Sequence, residues 1–260
     1  MHLAKWHGLG NDYLLVERSQ LPSPLTPEHV RLLCDYHVGI GSDGILEVLS
    51  AEGAEAEITI WNPDGSTAEL SGNGTRIAAR WLARRSGSDE VVIRVGPREV
   101  RARMLGGSRV RTEMGAVVVG EPEPLDLGNE TVELTPVSVG NPHAVLRREP
   151  DREDLLRLGP LIERLERFPE RTNVQLIAVD GPHAIRVGVW ERGAGETLSS
   201  GTSSVAAAAA AVARGWCQSP VTVTLAGGVL EVELADGEAT LTGDAQEICT
   251  IELSPELLLP

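Results

Sequence analysis

Two short segments place a serine and a glycine directly before an Ala-rich stretch. Residues 70–75 are Leu-Ser-Gly-Asn-Gly-Thr and lead into residues 76–84, while residues 199–204 are Ser-Ser-Gly-Thr-Ser-Ser and lead into residues 205–214. The Ala-rich stretches predict helices, because alanine has the strongest helix propensity. A helix N-terminus presents unpaired N–H groups and a positive dipole end that can hold a carboxylate. Glycine there lets ligand atoms approach the backbone closely.

Ser71 and Ser200 stand at the two predicted helix starts. If both starts flanked one substrate carboxylate, one serine would lie on each side of its α-carbon. That arrangement suits proton removal from one face and proton delivery to the other, which is racemisation by two bases. Serine is also a favoured N-cap residue, so a purely structural role is equally consistent with the residues alone.

The chain contains an internal repeat. Residues 10–16, Gly-Asn-Asp-Tyr-Leu-Leu-Val, resemble residues 140–146, Gly-Asn-Pro-His-Ala-Val-Leu, about 130 positions later. The two serine segments recur at nearly the same offset and in the same order. Two matched pairs in register predict that the chain consists of two similar halves.

Each half is predicted to be strands around one helix. β-Branched runs bounded by turn residues predict strands at 58–61, 90–95, 174–179, 185–190 and 221–225. Turns are predicted at 62–65, 227–228 and 236–237. Surface helices are predicted at 26–36, after a Thr-Pro start, and at 151–167. The fold class is therefore α+β, with a curled mixed or antiparallel sheet around a central Ala-rich helix in each half.

Composition and charge exclude several classes of partner. The net charge of −15 disfavours nucleic acids and anionic membranes, which attract basic surfaces, and leaves a small zwitterionic ligand compatible. The longest small-apolar run, residues 205–213, is too short to span a bilayer, and no secretory signal is expected at the N-terminus. Cys34, Cys217 and Cys249 show no CxxC or Cys/His metal pattern. We expect a cytoplasmic protein with no metal site, in which each cysteine is a buried core residue.

The chain resembles diaminopimelate epimerase over nearly its whole length. The resemblance is carried by residues 7–12 (His-Gly-Leu-Gly-Asn-Asp), 61–66 (Trp-Asn-Pro-Asp-Gly-Ser), 72–76 (Gly-Asn-Gly-Thr-Arg), 140–143 (Gly-Asn-Pro-His) and 191–197 (Glu-Arg-Gly-Ala-Gly-Glu-Thr). It implies interconversion of LL- and meso-2,6-diaminopimelate, without pyridoxal phosphate or metal, in lysine and peptidoglycan synthesis.

The resemblance also implies an organisation. It gives two pseudo-symmetric epimerase-like halves, a site in the cleft between them and a homodimer. The N-terminal half would comprise residues 1–114 with a returning C-terminal strand at 246–260, and the C-terminal half residues 115–245.

The family pattern assigns roles to individual residues. Backbone N–H groups around Gly72-Asn73 and Gly201-Thr202 would hold the reacting α-carboxylate, and His143 and Glu191 would tune the two catalytic groups. Amide and guanidinium side chains, able to bond a carboxylate and an ammonium together, would bind the rest of the substrate: Asn11, Asn62, Asn141, Asn173 and Arg192.

Two departures from the family pattern affect the expected chemistry. Gly44 stands where the family has glutamine, which predicts a lost binding contact, and Ser71 and Ser200 stand where the family has its catalytic cysteines. A thiol has a pKa near ~8.5, whereas an aliphatic hydroxyl lies closer to the ~15.7 of water, a difference of roughly 10 kcal/mol in basicity. Three interpretations stay open: serines introduced deliberately in place of cysteines, a catalytically silent amino-acid-binding homologue, or a divergent dehydratase or racemase acting on another substrate.

Overall fold

The computed structural model describes residues 2–128 and 130–258. Within that range the chain forms four α-helices: α1 (Pro27–Cys34), α2 (Gly72–Ser86), α3 (Arg152–Glu163) and α4 (Gly201–Ala213). The strands are β1 (His2–Gly8), β2 (Asn11–Glu17), β3 (Ile45–Glu52), β4 (Glu55–Trp61), β5 (Thr67–Ala68), β6 (Glu90–Val95), β7 (Arg98–Met104), β8 (Arg109–Ala116), β9 (Val118–Val119), β10 (Glu123–Asp126), β11 (Thr131–Ser138), β12 (Pro142–Arg147), β13 (Asn173–Gly181), β14 (Ala184–Glu191), β15 (Gly195–Thr197), β16 (Val221–Leu225), β17 (Gly228–Ala235), β18 (Glu238–Asp244) and β19 (Gln246–Glu252).

The chain divides into two compact units. The first contains residues 1–112 and 243–260, and the second contains residues 113–242. The predicted limits of the epimerase-like domains, 1–114 with 246–260 and 115–245, stay a prediction.

The strands of the first unit follow the order β19-β1-β2-β3-β4-β6-β7-β8. Neighbours are antiparallel except for the parallel pairs β2–β3 and β4–β6, and the short strand β5 adds to β4. Parallel neighbours need a crossover between them, and α1 and α2 lie in the segments that connect these two pairs.

The second unit repeats this pattern. Its order is β10-β11-β12-β13-β14-β16-β17-β18, with parallel pairs β12–β13 and β14–β16 and the short strand β15 on β14. The register matches as well, since Leu14 lies opposite Ile45 as Ala144 lies opposite Val174. The predicted α+β fold with two repeated halves is confirmed.

The core of the first unit forms around α2. Ser71 caps the start of this helix, and Gly87, with φ of 73°, ends it in the left-handed conformation that suits glycine. Ile77 and Leu82 are fully buried and pack into a cluster with side chains from the surrounding strands, including Ile58. The helix is thereby held from several sides of its circumference, which fixes the position of Ser71.

In the second unit a helix packs on each face of the sheet. The small side chains from Val205 to Ala211 are buried along α4, and Gln175 of β13 reaches this helix. Leu176, the next residue of β13, points to the opposite face, as strand alternation requires, and packs against α3. The near absence of polar residues on α4 thus reflects burial on all sides.

Three predictions about extent and burial are wrong in detail. The helix predicted at 151–167 ends at Glu163, because the turns that follow, with Phe168 N–H bonded to Leu165 O, lead into Pro169. The strand predicted at 246–260 ends at Glu252, and Pro255–Leu258 form a 3-10 turn. Cys249 is exposed on β19, whereas the other two cysteines are buried.

The remaining element predictions agree closely with the structure. The helix predicted at 26–36 is α1, with Thr26 as its N-cap, and it ends at Cys34. The turn at 62–65 is closed by a hydrogen bond from Gly65 N to Asn62 O. Four positions inside the predicted ranges, Met1, Asn129, Leu259 and Pro260, lie outside the described residues.

Candidate active site

Ser71 is held at the start of α2 by three hydrogen bonds. Its Oγ accepts from Gly74 N at 3.0 Å, and its carbonyl oxygen accepts from Thr75 N and Thr75 Oγ1, both at 2.8 Å. The fit at Gly74 is tight, because a Cβ there would lie 3.0 Å from Leu46 Cδ2 and 3.3 Å from Ser71 Oγ. The serine is therefore a true N-cap, and glycine at position 74 lets the cap close without displacing Leu46.

A tyrosine hydroxyl also reaches Ser71. Tyr13 Oη lies 3.0 Å from Ser71 Oγ, and the Tyr13 side chain is buried. Its ring fills the space beside Gly44, where a Cβ would lie 2.7 Å from Tyr13 Cε1 and 2.5 Å from Trp61 O. The steric reason for glycine at position 44 is therefore the Trp61 backbone carbonyl together with the tyrosine ring.

A chain of amides connects the start of α2 to β2. Asn73 Nδ2 donates to Asn11 Oδ1 at 3.2 Å, and Asn11 Nδ2 donates to Asp43 Oδ2 at 2.9 Å. Below them Arg76 is fully buried, donates to Gly72 O at 3.0 Å and contacts Asn73 Oδ1. Burial lowers the pKa of the Arg76 guanidinium to about 10, so it stays cationic at neutral pH. This charge adds to the helix dipole and favours an anion at the helix start.

Ser200 occupies the N-cap position of α4 but behaves differently. Among the described residues no N–H of α4 donates to its side chain. Thr197 Oγ1 donates to Glu191 Oε1 at 2.8 Å. Burial raises the pKa of the Glu191 carboxyl, and the hydrogen bonds from Thr197 and Ser200 oppose that rise. The Ser200 hydroxyl therefore acts on the Glu191 carboxyl and not on the N–H groups of its helix.

His143 is a buried neutral imidazole. Burial lowers its pKa to about 3, and the charge of Arg192 lowers it further. Its Nε2 lies 3.0 Å from Asn141 Oδ1 and its Nδ1 lies 3.1 Å from Gln175 Nε2. The proton is therefore on Nε2, donated to the asparagine, while Nδ1 accepts from the glutamine. Gln175 also donates to Ser203 Oγ at 3.0 Å, which ties His143 to the first turn of α4.

Asn173 clamps the loop that carries Arg192. Its Oδ1 accepts from Arg192 N at 2.9 Å, and its Nδ2 donates to Pro142 O at 3.1 Å. Both polar atoms of the amide thus hold backbone groups. The guanidinium of Arg192 donates to Glu170 O at 3.0 Å, and the side chain is exposed.

The predicted site residues form one group in each unit and one separate position. Ser71, Gly72, Asn73 and Asn11 lie together in the first unit. The second unit holds the rest: Ser200, Gly201 and Thr202 at the start of α4, Glu191 beside them, and His143, Asn141, Asn173 and Arg192 at the connected strand ends. Asn62 stands apart, and its Nδ2 donates to Ser66 Oγ at 2.9 Å within its own turn.

Three contributors to these groups were not predicted. Tyr13 stands inside the repeated segment at 10–16 and is one of two tyrosines in the chain. Gln175 is a polar residue in an otherwise apolar strand run, which is a signal that sequence reasoning could have used. Glu163, whose carboxylate accepts from Trp190 Nε1 at 2.8 Å and Gly193 N at 3.1 Å, gave no such signal.

Within 2–128 and 130–258 no group of three or more His, Cys, Asp or Glu side chains is placed to hold a metal ion. In the same residues no helix has the length and apolar character needed to cross a membrane.

Comparisons with known proteins give a consistent result. A family model described as diaminopimelate epimerase matches residues 3–119 and 135–248. Diaminopimelate epimerase 2 of Nostoc sp. is 37% identical over 276 residues, covering 99% of this chain and 97% of that protein. Diaminopimelate epimerase of Synechocystis sp. is 37% identical over 270 residues, covering 95% and 97%.

A solved structure shares the fold at lower identity. The crystal structure of a probable proline racemase from Agrobacterium radiobacter superposes with a TM-score of 0.75 at 18% identity, covering all of this chain and 94% of that one.

Proposed function

This chain belongs to the diaminopimelate epimerase family, and from that premise we propose that it interconverts LL- and meso-2,6-diaminopimelate by proton transfer at the α-carbon. The observation that carries the proposal is the placement of Glu191 at the start of α4, where Thr197 Oγ1 holds its carboxyl and the Ser200 hydroxyl acts on it. A hydroxyl alone is a poor base, but a hydroxyl bonded to a carboxylate can pass on its proton as it takes another.

The chemical steps balance with the chain's own groups. Ser200 Oγ takes the proton from Cα as its own proton passes to Glu191, and the electron pair of the broken C–H bond stays on carbon. Ser71 Oγ–H delivers a proton to the opposite face and is left deprotonated. Ser71 then regains a proton from solvent and Glu191 loses one to solvent, which restores the starting state. In the reverse direction deprotonated Ser71 takes the Cα proton, and Ser200 delivers a proton to the carbanion as it receives one from protonated Glu191.

Substrate binding is proposed to use the helix starts and the amide groups. The α-carboxylate binds backbone N–H groups at Gly72-Asn73 and Gly201-Thr202, where helix dipoles favour an anion. Asn11 binds close to that end, because Asn73 bonds it directly. The distal amino-acid end is bound by a second set of side chains: Asn62, Asn141, Asn173 and Arg192.

His143 is proposed to act through structure and not as a proton carrier. Its two ring nitrogens are committed to Asn141 and Gln175, and its pKa of about 3 keeps it neutral at physiological pH. A neutral imidazole here orients the start of α4 through Gln175 and Ser203 and adds no charge there.

The experiment is hydrogen exchange at Cα. The purified protein is incubated in D₂O with LL- or meso-diaminopimelate, and deuterium incorporation and the stereoisomer ratio are followed by NMR and chiral chromatography. Deuterium at Cα together with conversion in both directions supports the proposal, and Ser71→Ala with Ser200→Ala is the control that must abolish it. If calorimetry shows that the substrate binds but no deuterium exchange occurs, the epimerase proposal is wrong.

A silent amino-acid-binding homologue is the second candidate, favoured by the hydroxyls at both family cysteine positions. It predicts binding without exchange. Restoring the thiols with Ser71→Cys and Ser200→Cys then separates two causes. Gain of epimerisation would show that only the thiols were missing. If the thiol variant still does not epimerise diaminopimelate, and hydroxylated amino acids are converted to keto acids, the chain is a dehydratase.

The organisation is part of the same proposal. We propose a cytoplasmic homodimer of two epimerase-like domains that works without pyridoxal phosphate or metal, in amino-acid biosynthesis leading to lysine. Light scattering on the purified protein tests the dimer. Activity that survives treatment with a chelator and with a carbonyl reagent tests the absence of both cofactors.

A further inference from the structure

We propose that Tyr13 is a positioning residue that relays a proton to and from Ser71. The inference rests on the proposed function, because it assigns a proton partner to the serine of the first unit. It concerns a residue outside the family motif assignments given above for the site.

The first support is the geometry around Ser71 Oγ. A hydroxyl has one proton to donate and two lone pairs that accept. Gly74 N–H donates to Ser71 Oγ at 3.0 Å, and Tyr13 Oη lies 3.0 Å from the same atom. When the phenol donates as well, both lone pairs are occupied, and the serine's own proton is left to point at a third partner. That is the orientation required of a proton donor to a carbanion.

The second support is the internal repeat. Leu14 and Ala144 hold equivalent register positions in the two units, so the residues before them, Tyr13 and His143, correspond. The same correspondence follows from aligning residues 10–16 with 140–146. In the second unit this position is His143, which acts on the start of α4 through Gln175. In the first unit the same position is Tyr13, whose hydroxyl contacts Ser71 directly.

The third support is the space made for the phenol ring. A Cβ at Gly44 would lie 2.7 Å from Tyr13 Cε1 and 2.5 Å from Trp61 O, so the ring packs directly against the glycine backbone, and the ring is buried. Packing therefore fixes the ring in one conformation, which places its hydroxyl next to Ser71 Oγ. Preorganised partners of this kind are the ones that contribute to proton transfer.

The relay changes which conjugate base forms when Ser71 gives up its proton. As the Ser71 O–H bond breaks and the new Cα–H bond forms, the Tyr13 O–H proton moves to Ser71 Oγ, and the negative charge ends on the phenolate. In the reverse direction the phenolate takes the Ser71 proton as Ser71 Oγ takes the proton from Cα. An ordinary phenol has a pKa near ~10 and an aliphatic hydroxyl lies nearer ~15.7, so the relay avoids forming an alkoxide.

The first arm of the test is a cycle of four proteins: the unmodified chain, Tyr13→Phe, Ser71→Cys, and both changes together. Tyr13→Phe keeps the ring and removes the hydroxyl. We expect it to lower the Cα-exchange rate by about 100-fold or more at unchanged KM. In the Ser71→Cys background, where a thiol needs no relay, the same change should cost less than about tenfold. Tyr36→Phe, the exposed second tyrosine, is the matched control and should leave the rate unchanged.

The second arm does not depend on epimerase activity. In the Ser71→Cys protein, alkylation of the thiol at position 71 is followed against pH by mass spectrometry of its peptide. A hydrogen bond from the phenol favours the thiolate, so adding Tyr13→Phe should raise the midpoint of alkylation by about one pH unit.

The outcomes separate this inference from the proposed function. Equal losses in both backgrounds of the cycle would mean that Tyr13 is merely structural and would overturn the relay. If the unmodified chain shows no exchange, the proposed function fails, and the alkylation midpoints decide the relay alone. Identical midpoints with and without the phenol hydroxyl would then refute it.

Discussion

Replacing Glu163 by glutamine tests how the loop carrying Glu191 is held in place. The Glu163 carboxylate is almost fully buried and accepts from two donors, Trp190 Nε1 at 2.8 Å and Gly193 N at 3.1 Å. Arg171 NH1 lies 3.5 Å away but is half exposed and contributes little. Glutamine has the same shape with only one acceptor oxygen, so one of the two donors must face an NH₂ group.

The magnitude follows from those two contacts. Hydrogen bonds to a charged group contribute about 1.5–3 kcal/mol, and a buried donor left unpaired costs about 1–3 kcal/mol. We therefore expect Glu163→Gln to lower the free energy of unfolding by about 2–4 kcal/mol. For a chain of this size that corresponds to a fall in Tm of roughly 5–12 °C. The Cα-exchange rate should fall as well, since Glu191 and Arg192 adjoin the loosened turn.

The assay is chemical and thermal unfolding, with Glu166→Gln as the matched control. Glu166 is an exposed acid on the same segment, and its replacement should change stability by less than about 0.5 kcal/mol. Burial alone would raise the pKa of Glu163, but the hydrogen bonds from Trp190 and Gly193 and the charge of Arg171 bring it below the usual value. Its contribution is thus complete above the ordinary carboxyl pKa near ~4.3 and is lost as pH falls through the lower folded value.

The result that would refute this reasoning is a Glu163→Gln protein as stable as the Glu166→Gln control. A second comparison comes from the first unit, where Trp61 Nε1 donates to the buried Glu47 at 3.0 Å. Since Trp61 holds the register position that Trp190 holds in the second unit, Glu47→Gln should destabilise the protein by a similar amount.

Three other predictions concern the site directly. Gly44→Ala should destabilise the protein by about 1–3 kcal/mol and slow Cα exchange, because the added methyl meets the Tyr13 ring; Gly181→Ala, with open space at its Cβ, should do neither. His143, with a folded pKa of about 3 against ~6.5 unfolded, should make stability fall as pH drops from ~6.5 toward 3, by up to ~1.4 kcal/mol per pH unit, and His143→Gln should remove that slope in urea titrations. Glu191→Gln should lower the exchange rate by about 100-fold or more, while calorimetric affinity for the substrate stays within a few-fold.

The repeat made much of this fold predictable from sequence. Two pairs of segments match between the halves: residues 10–16 with 140–146, and the two helix starts with each other. These matches predict two similar halves, and the Ala-rich runs predict the central helices because alanine favours helix. The limits of the elements were harder to predict. The end of α3 depends on turns before Pro169 and on the contacts of Glu163, neither of which periodicity reveals.

The roles of individual side chains could be predicted only in part. Sequence patterns treated Ser71 and Ser200 alike, yet one caps its helix and the other turns to Glu191, a difference set by long-range neighbours. The phenol at Tyr13 reaches Ser71 across 58 positions of sequence. Contacts of that separation depend on strand register, which a single sequence does not encode locally.

The strand β19 has a consequence for how the chain folds as it is made. It pairs with β1, so the first unit includes a strand that is synthesised after the whole of the second unit. The second unit is one uninterrupted segment, and its edge position beside β11 is filled by β10, which precedes it in the chain. During translation the second unit can therefore complete its fold first, while one edge of β1 in the first unit is still unpaired. An unpaired strand edge can pair with another chain. Residues 246–252 protect the new protein against this, because their pairing with β1 covers that edge.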